Sequence, residues 1–544
     1  MTTGATSHVA DECLLQHTID EQALSRPDDV YYSTPIDDND LSKGFTDITC
    51  SKFANAVNHA ATWLQSTLGN AITDSSNVIA YQGPNDLRYP ILALAVAKIG
   101  GQMLVPFPLA PPPVKQHLLA SANCKFLLHT AQENESVKDL VRGVSKIQAV
   151  VVPELDFWLN AEPIATYRCP RSWSDAKDEP WLIFHTSGTT GLPKLITYTN
   201  RMMTSFRIAR NLPGHIEETQ LGMLIDRRCY AIAPMSHFSG LCAVLQSPPF
   251  LNSVVITGPR LKAPSPPVIA ETLRYSNAHG LVSLPFLLRA MTRHPENLDL
   301  LKSLDFIQWV GAALDSDTGN TLSQHVKLCP AMGTTECGPY FLKSVATPED
   351  WAYYSFQDGQ GIKFIERADN LYELAFEKSS GAAWQQVFQV FPDLEHYETK
   401  DLFRKHPSTD GLWAYVGRSD DVVVLSNSAN INATVVEEKL MAHPSVQMAL
   451  VGGSGRENSF AIIELTPAAS EKLNESGSGA ILDTILPAIE DANSGLSPYT
   501  RLQKEFVLLT GSERGLVKNP KGSVMRGPSE KIFGSDIEAL FAVT

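Results

Sequence analysis

Nine residues, Thr186-Ser187-Gly188-Thr189-Thr190-Gly191-Leu192-Pro193-Lys194, bring together three threonines, a serine, two glycines and a lysine. Glycine lets a backbone approach an anion closely, hydroxyl and amide groups donate hydrogen bonds, and the lysine adds charge. The chemistry such a loop suits is the wrapping of phosphates. The apolar run Trp181-Leu182-Ile183-Phe184-His185 before it reads as a buried strand, and Leu195-Ile196-Thr197-Tyr198 after it as a second strand. A kinase-type phosphate loop needs G-x-x-x-x-G-K-[ST] opening a helix. Counted from Gly188, Pro193 stands at the second glycine and Leu195 at the metal-binding hydroxyl, and a strand follows, so that reading fails. A plain solvated turn would use the same residue types, but not at this density.

Further motifs follow in order. They are Pro234-Met235-Ser236-His237-Phe238-Ser239-Gly240, Gly311-Ala312-Ala313-Leu314, Gly333-Thr334-Thr335-Glu336, Tyr397-Glu398-Thr399-Lys400-Asp401, Gly417-Arg418-Ser419-Asp420-Asp421 and Lys521-Gly522-Ser523-Val524-Met525-Arg526. With the loop, this set resembles the adenylate-forming superfamily: acyl-CoA synthetases, luciferases and nonribosomal peptide synthetase adenylation domains. The resemblance spans nearly the whole chain. It is nearest to the adenylation domain of fungal synthetase-like carboxylic acid reductases, through Trp351-Ala352-Tyr353-Tyr354, the stretch Phe391 to Phe403 and the Lys-Gly-Ser-Val-x-Arg ending.

The resemblance implies joining a carboxylic acid to ATP, giving an acyl-adenylate and pyrophosphate. Two anions must meet, so the protein's work is charge neutralisation and positioning. Thr186, Ser187, Gly188, Thr189, Thr190, Gly191 and Lys194 would hold the β- and γ-phosphates. Glu336 would hold Mg²⁺, Thr335 would contact the α-phosphate, and Met332, Gly333 and Thr334 would line the nucleotide. Gly311, Ala312 and Ala313 would form the adenine slot, Asp401 would accept from both ribose hydroxyls, and Arg418 would sit near ribose and phosphate. His237 would lie beside the acid's carboxylate, and Lys521 would contact the ester and bridging oxygens, with Lys518 in reserve.

Two departures stand out. The usual family lysine lies three residues before the arginine, where this chain has Ser523, whereas Lys521 lies five before Arg526. Ser428 stands where many members carry glycine; a serine disfavours positive φ and would weaken the second half-reaction or only reshape the loop.

Amino-acid-activating relatives place an aspartate after the histidine. Here Phe238, then Ser239 and Gly240, occupy the site, and a buried ammonium would lack a carboxylate. The expectation is an aryl or other non-amino acid, in a pocket formed by Phe238, Met332, Gly333 and the segment Ser283-Leu284-Pro285. The expected acceptor is the phosphopantetheine thiol of an acyl or peptidyl carrier domain, with carrier and reductase domains outside this chain. An acyl- or aryl-CoA ligase using free CoA is the alternative, and a catalytically weak nucleotide-binding module the second.

The elements that must position these residues read as follows. A helix capped at Ser51 buries Phe53, Val57, Ala60, Ala61 and Leu64, and helical segments alternate with apolar strand runs to about residue 330. That alternation implies a layered α/β domain, 1–417, and the pattern changes to a small mobile α+β domain, 418–544, with a hinge near Asp420. Residues 1–45 read as loosely structured and 468–480 as a surface excursion.

The 544 residues suffice for two domains, and the net charge of −15 argues against nucleic acid and anionic membranes as partners. ATP would then need the local positive charge of Lys194, Arg418 and Lys521. The N-terminus has no apolar signal core, and eight scattered cysteines without a C-x-x-C pair suggest buried thiols in the cytoplasm.

Overall fold

The computed structural model describes residues 12–69, 77–108, 110–186, 193–209, 212, 215–345, 347–368, 370–379, 385–426, 430–498, 500–518 and 524–542. Two sheets of largely parallel strands form the body of the large domain. One is six-stranded, in the order Gln148–Val151, Cys124–His129, Val78–Gln82, Gln102–Leu104, Pro180–Thr186, Lys194–Thr199. The other is eight-stranded and includes, side by side, Gly280–Ser283, Phe306–Val310 and Lys327–Thr334.

Two helices lie between these sheets. Arg88–Ile99 packs on the first sheet, Phe238–Leu251 on the second, and the helices pack on each other. Arg88–Ile99 is apolar nearly all round and buried along its whole length, as a helix between two layers must be. Trp181 Nε1 donates to Ala93 O at 2.8 Å, which locks that helix to the strand leading into the threonine-rich loop. Tyr31, Tyr32, Phe53, Leu92, Leu182, Phe184 and Leu241 belong to the single core between the layers.

A third, antiparallel sheet carries Leu371–Glu377, His396–Lys405 and Leu412–Arg418. Beyond it, the one-turn segment Ser419–Asp421 leads to a hairpin, Val422–Val424 with Asn430–Asn432. The small domain is built on the sheet Val446–Gly452, Phe460–Leu465, Val507–Thr510. One apolar cluster joins that sheet to the helices Ala433–Met441 and Pro467–Ser494, and another joins it to Gly534–Ala542. No described helix is long and apolar enough to cross a membrane.

Three expectations need correction. Within 1–45, the described residues form a helix, Leu15–Ser25, and a strand, Val30–Pro35, anchored by Leu15, Ile19, Tyr31 and Tyr32. These anchors are sparse among polar residues, which hides them from a composition reading. Thr49, not Ser51, caps the helix Cys50–Leu68, its Oγ1 accepting from Lys52 N–H at 3.3 Å. Residues 468–480 belong to the helix Pro467–Ser494, which breaks only at Gly477 with φ of +77° and is held by Ile481, Ile485 and Ile489.

Candidate active site

The ends of strands from all three large-domain sheets meet the small domain around one cleft of about 910 Å³. At one end, Thr186 closes its strand and Lys194 opens the next, paired antiparallel in register, and both line the cleft. Ser187, Gly188, Thr189, Thr190 and Gly191 lie outside the described residues.

Gly311, Ala312 and Ala313 follow the strand Phe306–Val310 and line the cleft. Gly311 has φ of +99°, a conformation that side-chain-bearing residues rarely adopt. Met332, Gly333, Thr334, Thr335 and Glu336 line the adjacent wall. Thr334 Oγ1 accepts Cys337 N–H at 3.0 Å, and Tyr198 donates its hydroxyl to Thr335 O at 3.0 Å. The latter bond ties the second strand of the loop to the segment bearing Glu336.

Asp401 and Arg418 are register partners on neighbouring antiparallel strands. The Arg418 Nη1 lies 3.8 Å from Asp401 Oδ1, and Asp401 is buried. Both line the cleft.

His237 caps the helix Phe238–Leu251, its Nδ1 accepting Ser239 N–H at 3.2 Å. A neutral ring in that role carries its hydrogen on Nε2, as a donor. Phe238 packs edge-on against Phe184 and tilted against Tyr198, with centroids 5.7 Å and 5.3 Å away. Ser236, His237 and Phe238 line the cleft, whereas Ser239 and Gly240 do not. A Cβ on Gly240 would lie 2.1 Å from Pro234 O, so that glycine serves close packing of the helix start. Of the segment Ser283-Leu284-Pro285, only Pro285 reaches the cleft, joined by Phe286 and Arg289.

The small domain closes the other side with Thr434, Glu437, Glu438, Met441, Val524, Met525 and Arg526. Lys521 and Ser428 lie outside the described residues, as does the side chain of Asp420, whose backbone is in the turn Ser419–Asp421. Backbone contacts join the two roots of the segment carrying Lys521. Lys518 and Val524 form a bridge, and Met525 N–H donates to Val517 O at 2.7 Å. Arg526 Nη1 bonds Glu437 Oε1 at 2.9 Å and also reaches Val451 O. Lys518, the reserve candidate, is paired with buried Glu464 at 2.7 Å.

Electrostatics mark groups that motif reading missed. Burial, with the charges of Asp315 and Glu437, pushes the Glu438 carboxyl up to about 7, and Arg289 only partly opposes this. Burial pushes His185 down to about 4. Glu437 and Glu438 sit on the short helix Ala433–Met441, outside every motif, and Arg289 belongs to no motif either. Only its place beside Thr186 could have singled out His185.

Comparison with known proteins agrees with this arrangement. A family model described as AMP-binding enzyme matches residues 19–360, and one described as AMP-binding enzyme C-terminal domain matches 420–544. The carboxylic acid reductase of Neurospora crassa is 26% identical over 537 residues, covering 97% of this chain and 50% of that protein. Adenylate-forming reductase Nps11 of Serpula lacrymans is 26% identical over 538 residues, covering 92% and 47%. The chain thus spans about half the length of the curated relatives it matches. Among solved structures, the A domain of carboxylic acid reductase from Segniliparus rugosus superposes with a TM-score of 0.75 at 14% identity, covering 98% of this chain and 95% of that one. A large and a small domain around a cleft bearing the ordered motifs, matched by both family models, place this chain in the AMP-binding enzyme family: it belongs there and is an adenylate-forming enzyme.

Proposed function

We propose that the chain activates a small, non-amino carboxylic acid with ATP and passes the acyl group to the phosphopantetheine thiol of a carrier domain. The observation that supports it best is convergence: Thr186, Lys194, Thr335, Glu336, Asp401, His237 and Phe238, from distant parts of the chain, line one cleft. In the first step a carboxylate oxygen attacks the α-phosphorus, the bond to the bridging oxygen breaks, and pyrophosphate leaves. Lys194 neutralises the phosphate end, with Ser187, Gly188, Thr189, Thr190 and Gly191 completing the grip. Asp401 orients the ribose, His237 Nε2–H faces the acid's carboxylate, and Lys521 stabilises the charge moving to the bridging oxygen.

Glu336 is the carboxylate that would hold Mg²⁺. Among the described residues no group of three or more His, Cys, Asp or Glu side chains gathers to hold a metal. One carboxylate plus substrate phosphates is the donor set that suits this ion, which keeps water and phosphate ligands. When bound, it supplies charge neutralisation between the two anions.

Phe184 and Phe238 in the cleft wall, backed by Tyr198, favour an aryl acid, and position 238 offers no carboxylate for an ammonium. The reductase names of the relatives support a carrier thiol as acceptor over free CoA. The division at 417/418, with motion about Asp420, belongs to the same proposal, since the acyl-adenylate must be exposed to a second reactant.

Pyrophosphate–ATP exchange with a panel of carboxylic acids tests it. Exchange with an aryl acid, lost in K521A, is the expected result. Tight ATP binding without exchange for any acid would overturn it in favour of a silent module. Thioester formation on a pantetheinylated carrier, compared with free CoA, then identifies the acceptor.

A further inference from the structure

The strand entering the threonine-rich loop carries a histidine to which the reaction above gives no role. Gln102–Leu104 runs parallel to Pro180–Thr186, with Met103 opposite Leu182 and Leu104 opposite Ile183. The ladder continues one bond further, with Val105 N–H donating to Ile183 O at 3.0 Å. Pro106 has no N–H to donate. The next amide, Phe107 N–H, donates at 3.2 Å to the imidazole Nε2 of His185. A side chain thus supplies the last rung of the sheet.

That rung sits one residue before Thr186, whose strand partner is Lys194. Phe107, His185, Thr186 and Lys194 all line the cleft. An accepting Nε2 requires the neutral ring with its hydrogen on Nδ1. Nδ1 is buried and makes no hydrogen bond. The hydrogen on Nδ1 is thus buried without an acceptor, and a second one, on Nε2, would point at the Phe107 N–H and remove the acceptor that it uses. Burial keeps the ring neutral, pushing its pKa down to about 4.

We propose that His185 is a positioning residue for the triphosphate: by accepting Phe107 N–H it fixes the mouth formed by Thr186 and Lys194, and so the grip on the β- and γ-phosphates. This rests on the nucleotide reading of the cleft and adds a specific dependence. Loss of the rung weakens ATP but not AMP, because AMP lacks the phosphates held at that mouth.

The test is calorimetric binding of a non-hydrolysable ATP analogue and of AMP to the whole chain and to H185Q, H185N and H185L. The glutamine Oε1 reaches the position of Nε2 and can accept the amide, whereas the asparagine Oδ1 stops near Nδ1. H185N and H185L are expected to weaken the ATP analogue about tenfold, the scale of one lost hydrogen bond, and to leave AMP within about twofold. H185Q is expected to bind both nearly as the wild type does. Equal binding of the ATP analogue by all four proteins overturns the inference. So does a parallel loss of AMP, or an H185Q no better than H185N. Should H185L fail to fold, the glutamine and asparagine variants decide the matter between them. Failure of the nucleotide reading itself would appear in the wild type, as binding of neither ligand.

Discussion

Lys518 Nζ lies 2.7 Å from Glu464 Oε1, and this carboxylate also accepts Leu516 N–H through its other oxygen at 2.8 Å. Glu464 is buried on the central strand of the small domain. Lys518 is therefore committed to holding the root of its loop, which supports the proposal of Lys521, not Lys518, as the catalytic lysine. The two lysines should separate cleanly. K521A is expected to cut acid-dependent exchange by on the order of 10²–10³ with an unchanged melting temperature. K518A leaves Glu464 without its cation and is expected to lower stability by about 2 kcal/mol while retaining exchange well above that of K521A. Thermal melts and exchange rates on both variants check this.

The proposed ribose role of Asp401, which is paired with Arg418 across neighbouring strands, predicts a ribose-specific phenotype. D401A should raise the KM for ATP by on the order of tenfold or more, the scale of hydrogen bonds to a charged acceptor. Wild type should discriminate against 2′- and 3′-deoxy-ATP, and D401A should not. Equal discrimination by both proteins would remove the ribose role.

Phe238 is buried against Phe184 and Tyr198. F238A should shift preference toward bulkier aryl acids, read as relative kcat/KM across a size series. The cavity it leaves should destabilise the protein by about 3 kcal/mol, visible as a lower melting temperature.

Glu438 gives a pH dependence whose sign can be worked out. Its ordinary value of 4.5 is raised in the folded protein to about 7 by burial, Asp315 and Glu437, against the pull of Arg289. Between those values the native state holds the proton more tightly than the unfolded chain. The stability this provides is complete below pH 4.5 and is lost as pH rises through 7. E438Q should therefore melt about 2 °C higher than wild type at pH 8, from a gain on the order of 1 kcal/mol, and no higher at pH 5. Melts at the two pH values check the sign.

The layered architecture was legible because alternating apolar runs and helical faces recur throughout the large domain, and because several motifs fall at strand ends. Residues 12–45 were not legible: their few anchors, such as Tyr31 and Tyr32, are buried by partners far along the chain, notably Phe53 and Val244. In the cleft, residue types with a direct chemical purpose, such as Asp401 and Glu336, could be named from their motifs. Ser239 and Gly240 share a motif with His237, but helical geometry turns them away from the cleft. The roles of His185, Tyr198 and Arg289 depend on partners distant in sequence, and no local pattern encodes those contacts.

Tyr198 has one further consequence. Its ring packs behind Phe238, outside the cleft lining, while its hydroxyl holds the backbone carbonyl of Thr335. A single rigid phenol therefore ties the packing behind Phe238 to the backbone of Thr335. On the proposed reading, an acid of the wrong width that pushes Phe238 back onto this ring also drags the phosphate seat out of line. Misfit would then be felt as slow attack rather than weak binding, and the enzyme would judge its substrate at the moment of bond making.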